Sequence, residues 1–134
     1  MQTTHATRPT MWNGWLNFAS YMMMIAGGFE LIAGLAALFQ HTVYLVTENN
    51  LFAFSFTQWG IVHIALGLIM FTAGISLLAG KMWGRIVGVI LASLSAIANF
   101  AFIDAYPWWS LAIIAIDVLV IYAIIVHGSG LREE

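Results

Sequence analysis

Residues 15–39 read WLNFASYMMMIAGGFELIAGLAALF, a run with no lysine or arginine and a single acid, Glu30. Crossing about 30 Å of hydrocarbon takes about 20 mainly apolar residues in a helix, so this run is long enough to span a membrane. It is too long for the apolar region of a cleaved secretory leader, which runs to about 7–15 residues. Three further runs meet or approach the same length: Trp59 to Ala79, Ile86 to Ile103 and Trp109 to Val126. The last two hold about 18 residues each and cross with little tilt.

The composition agrees with that reading. The chain has 134 residues, 62% hydrophobic and 7% charged, with mean hydropathy +0.93. Soluble domains carry about 25% charged residues, so this chain has too little polar surface to cover itself in water. Lipid is therefore the expected solvent, and the length allows one domain, residues 1–134. The expected fold is an all-α membrane protein, a bundle of four transmembrane helices. A net charge of -2 offers no basic surface, which argues against nucleic acid as a partner. The absence of cysteine excludes disulfides, thiolate metal sites and thiol chemistry.

Topology follows from the few cations, because Lys and Arg in short loops stay on the cytoplasmic side. Arg8, Lys81, Arg85 and Arg132 fall in the N-terminal tail, the second loop and the C-terminal tail. Four spans bring those three segments to one face, so both termini are expected in the cytoplasm and the chain in the plasma membrane. Lys81, Arg85 and Trp83 would anchor the inner interface, and Trp59, Trp108 and Trp109 the outer one. The outer loop HTVYLVTENNLFAFSFTQ, residues 41–58, reads as a short β-hairpin. It has a β-branched and aromatic run, a turn-rich centre, and Phe52, Phe54 and Phe56 at period two. An interfacial amphipathic segment is the rival reading. The phenylalanines would either cap the bundle or meet another protein.

Helices in lipid associate through close packing of small residues and a few hydrogen bonds. Every residue three or four positions from Glu30 is small: Ala26, Gly27, Ala33 and Gly34. The second span carries Gly60, Gly67 and Gly74 at heptad spacing, and the third carries Gly84, Gly88, Ala92 and Ala96 every four residues. The fourth is bulky around Asp117, with Ile113, Ile114, Val120 and Ile121 on the same face, and suits the hollows of the other three.

Glu30, His63, Asn99 and Asp117 form the candidate polar cluster. At about 1.5 Å per residue, Glu30 and Asp117 lie about 12–13 Å below the outer span ends and His63 and Asn99 about 6–9 Å. All four fall in the outer half. An ionisable group at such depth is a functional-site candidate that requires a partner, and depth leaves Asp117 or His63 for Glu30. Structural hydrogen bonding, a proton or ion relay and ligand contact are the roles such a cluster could have. One histidine and two carboxylates on three helices, with no HxxxH, HExxH or ExxH pair, do not make a metal site. His5, His41 and His127 read as peripheral and solvated. No nucleophile elbow or phosphate-binding glycine loop is present, so no catalytic residue is assigned and no cofactor is expected.

QWGIVH (58–63), MWGRIVGVI (82–90), LSAIANF (94–100), AYPWWS (105–110) and IAIDVLVIYAIIVHG (114–128), in that order, resemble a group of small four-helix integral-membrane proteins of actinobacteria, a domain of unknown function. The likeness runs from about Trp12 to Gly128. It implies a membrane location and a four-helix fold, with Trp59, His63, Arg85, Asn99, Tyr106, Pro107 and Asp117 as signature positions and no activity attached to any of them. The chain departs from the group at Gly84, where alanine is expected, and at Asp104. Gly84 therefore reads as an incidental start to the small-residue stripe.

These features favour a non-enzymatic protein that works by association, as a homo-oligomer or as an accessory subunit of a larger membrane complex. A proton-linked or small-molecule conduit using Glu30, His63 and Asp117 is the second reading. An enzyme acting on a lipid or quinone is the third.

Overall fold

The computed structural model describes residues 11–40, 43–47 and 50–128. Arg8 and Arg132, on which the topology partly rests, lie outside them, as do His5 and His41. Four helices carry the architecture: α1 Met11–Leu38, α2 Phe56–Leu78, α3 Met82–Ala101 and α4 Pro107–His127. Each is long and apolar enough to cross a membrane. Between α1 and α2, strands β1 Val43–Thr47 and β2 Asn50–Phe54 pair antiparallel, with Thr47 opposite Asn50 and Val43 opposite Phe54. Phe56 does not extend the strand but opens α2.

The helices run up, down, up and down. The start of α1, the α2–α3 turn and the end of α4 share one end of the bundle, here the termini end. The β-hairpin and the α3–α4 turn share the other, the hairpin end. Gly80 makes the α2–α3 turn with φ 77, a conformation that a side chain would oppose. All four helices start two to four residues earlier than hydropathy suggested. Pro107 begins α4, since its fixed φ suits a first helical turn whose N–H needs no partner. Likewise α3 begins at Met82, which places Trp83, Gly84 and Arg85 in the helix and leaves only Lys81 of the expected loop cations outside it.

Packing is closest between α1 and α2, where main chain meets main chain. A Cβ on Gly67 would lie 2.7 Å from the Gly27 carbonyl oxygen, and one on Gly60 would lie 2.7 Å from that of Gly34. Gly74 continues the seam against Met24 and the Ser20 carbonyl. Gly84 is not incidental in this chain: a Cβ there would lie 2.5 Å from the Leu77 nitrogen and 2.6 Å from the Ala73 carbonyl, so glycine sets how near α3 approaches α2. Gly88 receives the side chains of Met23 and Ile124 instead. Bulky α4 thus fills a hollow in α3, the complementarity expected of it.

The buried apolar cluster is Leu16, Ala19, Met23, Ala73, Leu77, Ala92, Val120, Ala123 and Ile124. All of these belong to the termini-end half except Ala92, which sits near the middle of α3. Aromatic groups close the same end. Trp15 stacks on His127 at 5.5 Å and meets Tyr122 edge-on at 5.5 Å, joining α1 to α4. His127 is therefore half-buried in an aromatic cluster rather than solvated. Beside it, the Arg85 guanidinium lies against Gly128, where a Cβ would come within 2.5 Å of Nε. A cation there faces the negative end of the α4 dipole.

Candidate functional site

Two turns of helix take seven residues, so positions seven apart lie on nearly the same face. That spacing allows one face to be compared at the two ends of the bundle. Ala19, Ala73 and Ala123 have no exposed surface. Their counterparts one heptad nearer the hairpin end are Ala26, Leu66 and Ile116. Ala26 is exposed, and Leu66 and Ile116 keep 37% and 36% of their surface. On three helices, the face that seals the core at the termini end is uncovered toward the hairpin end. From these exposures we infer that the α1–α2 pair and the α3–α4 pair part from each other on leaving the core and leave a wedge between them, while Asp117 and Ser110 stay buried within the α3–α4 pair.

The polar residues occupy the same half. Glu30 lies one heptad beyond the buried Met23, and its side chain is 38% exposed. Its carboxylate bonds to His63 Nδ1 across the α1–α2 seam. Gly27 and Gly34, one turn to either side of Glu30, let the two backbones come near enough for that bond. On its own helix His63 lies against the Trp59 ring, with centroids 4.3 Å apart, so it is held from two sides.

Asp117 belongs to the other pair. It is buried in the α3–α4 seam, where the Ser95 hydroxyl bonds to its carboxylate. Its Oδ2 is enclosed and has no hydrogen-bond partner among the described residues. Asn99, one turn above Ser95, donates Nδ2 to the Ser95 carbonyl oxygen at 2.9 Å. The four candidates thus form two bonded groups, one in each helix pair: Glu30 with His63, and Asp117 with Ser95 and Asn99. Among the described residues, no group of three His, Asp or Glu side chains is placed to hold a metal ion.

Sequence reading passed over Ser110. Its hydroxyl is buried and without a partner among the described residues, and it sits one heptad above Asp117 on the same face of α4. The seven-residue spacing was the available signal. A groove of about 470 Å³ lined by Gly14, Trp15, Phe18 and Leu119 lies at the termini end, and none of these polar side chains lines it. The small-residue seams, read from sequence as grounds for association, face neighbouring helices of the same chain. Gly27, Gly34, Gly60, Gly67, Gly74, Gly84 and Gly88 all meet such a neighbour.

A family model described as a domain of unknown function (DUF7144) matches residues 15–129. No curated protein and no solved structure matches the chain.

Proposed function

The chain belongs to that family, DUF7144, and from the wedge between its helix pairs we propose that it is a non-enzymatic accessory protein of the plasma membrane that receives another membrane-embedded chain. The supporting observation is the exposure of Ala26, Leu66 and Ile116 on faces that are sealed one heptad away. Helices in lipid are held together by close packing rather than by exclusion of water, so packing that stops short of the whole length leaves faces open to another helix. Here the apolar cluster ends near mid-bundle, and Glu30 and His63 border the uncovered part. An intramembrane carboxylate–imidazole pair at such a border gives an incoming helix a polar group to recognise. Lys81 and Arg85 at the termini end favour cytoplasmic termini, so that the wedge opens toward the outer leaflet.

A through-conduit is less well supported. Its path would have to cross the cluster of Leu16, Met23, Leu77, Val120 and Ile124, which is apolar and closed. The acid–base constellation that an enzyme would need is divided between two helix pairs.

Since the chain has no cysteine, Leu66→Cys gives a single-site probe. In native membranes it is expected to form a cross-link to a second polypeptide, whereas Leu78→Cys, on an exposed face near the termini end, is not. A purified particle with the mass of one chain, together with no cross-link from Leu66→Cys, would overturn the reading.

A further inference from the structure

Three hydroxyls within the helices bond back to a carbonyl one turn earlier. Ser20 donates to Leu16 at 2.8 Å, Thr72 to Leu68 at 2.8 Å and Ser93 to Val89 at 2.7 Å. That bond is the ordinary way for serine and threonine to be tolerated in an apolar helix. Ser110 does not make it, although it is only 1% exposed, and neither does the enclosed Ser76 hydroxyl of α2; Ser110 is the one that shares a helix face with a buried carboxylate. Asp117, at 8% exposure, likewise keeps Oδ2 without a protein partner. Both side chains lie on the α4 face that meets α3. Opposite them are Asn99, whose Nδ2 donates to the Ser95 carbonyl oxygen, and Ser95, which bonds the aspartate. Buried oxygens that find no protein partner are the places where internal water is retained, since leaving one bare costs about 1–3 kcal/mol.

We propose that Ser110, Asn99, Ser95 and Asp117 form a hydrated track in the α3–α4 seam that carries protons from the hairpin end to the Asp117 carboxylate and stops there. Ser110 is three residues into α4, and seven residues separate it from Asp117, about 10 Å along the helix. Water and the two intervening polar side chains, Asn99 and Ser95, bridge that distance. At the inner end a hydronium ion gives its proton to Asp117 Oδ2, leaving water and a neutral carboxyl, and the reverse step restores the carboxylate. Below Asp117 the seam closes where Ile124 and Met23 pack on Gly88, so the track has one mouth.

Among the described residues no cation competes for the site. Of the elements packed against α4, α3 brings only Arg85, which lies against Gly128 at the opposite end. Helix α1 brings Glu30, bonded to His63, and Tyr21, which is exposed. On α4 itself, Tyr122 and His127 pack with Trp15 at the termini end. This inference is independent of what fills the wedge, since it concerns the seam inside one helix pair.

The test is infrared spectroscopy of the carboxylic C=O stretch in protein reconstituted into vesicles. Its orientation is scored by labelling an engineered Lys81→Cys with an impermeant maleimide. Stepping the pH at the hairpin-end side between about 4 and 9 is expected to move one carboxyl band, well separated from the usual range of exposed acids. Asp117→Asn should remove that band, and Asp117→Glu should shift it while retaining the fold. Ser110→Val, which exchanges the hydroxyl for two methyl groups and so removes both the polar atom and room for water beside it, should slow its response by about tenfold or more. A band that ignores hairpin-side pH, that follows termini-side pH instead, or that is as fast in Ser110→Val as in the native chain would overturn the proposal.

Discussion

The two ends of the bundle use the same helix faces differently. At the termini end, Ala19, Ala73 and Ala123 disappear into a core completed by Leu77 and Ile124, and Trp15, Tyr122 and His127 close it off. One heptad further along, the equivalent faces present Ala26, Leu66 and Ile116 uncovered, with Glu30 where Met23 had been. Hydrophobicity does not distinguish the ends, since Leu66 and Ile116 are larger and more apolar than the buried alanines. What differs is approach. Small residues let four helices converge at one end, and larger or polar ones at the same phase accompany their separation at the other. In lipid this separation carries little hydrophobic penalty, because lipid tails solvate an uncovered leucine as well as a neighbouring helix does.

Substitutions should break this contrast to very different degrees. The largest effect is expected at the seam common to both ends. Gly67→Leu would drive a side chain into the Gly27 carbonyl and the Leu31 backbone. That overpacking should cost more than about 3 kcal/mol and leave no cooperative unfolding transition in detergent micelles. Next is the core against the wedge. Ile124→Ala should lower stability by about 2 kcal/mol or more through the cavity it leaves. Ile116→Ala, on the uncovered face, should stay within about 0.5 kcal/mol in the same denaturant titration. Equal losses at Ile124 and Ile116 would mean that the wedge is packed after all. Glu30→Gln is predicted to cost only about 0.6 kcal/mol, the usual worth of an interhelical polar bond in a membrane bundle, because the glycine seam holds α1 to α2 without it. If Glu30→Gln instead abolished cross-linking from Leu66→Cys while leaving stability intact, the carboxylate would be assigned to recognition. The smallest effect belongs to Gly14→Ala, whose added Cβ meets nothing within 4 Å; the unfolding midpoint should barely move.

Much of the framework was legible because membrane spanning is a demand on length and composition, which a single sequence displays. Helix existence followed from the apolar runs, and a close helix contact at Glu30 from the glycine and alanine residues around it, though not which helix would make it. Depth counting brought the partner of that acid down to His63 or Asp117, and the bond is to His63. Depth alone could not choose between them, since it measures height along the bundle and not which helices are neighbours. For the same reason the division into two bonded polar groups was hidden. Ser110 escaped notice because a serine in a helix ordinarily satisfies itself on the preceding turn, and only the fold reveals that this one does not. Arg85 was read as an anchor of the inner interface and His127 as peripheral and solvated. Their packing against Gly128 and Trp15 depends on how the ends of α3, α4 and α1 meet.

The account rests on the wedge, and nitroxide labels attached to cysteines placed at Ala26, Leu66 and Ile116 test it most directly. In purified single chains all three labels are predicted to be mobile, as on an uncovered helix face, and in native membranes they are predicted to become immobilised together as the wedge is filled. Labels already immobilised in the isolated chain, or equally mobile in both settings, would contradict it.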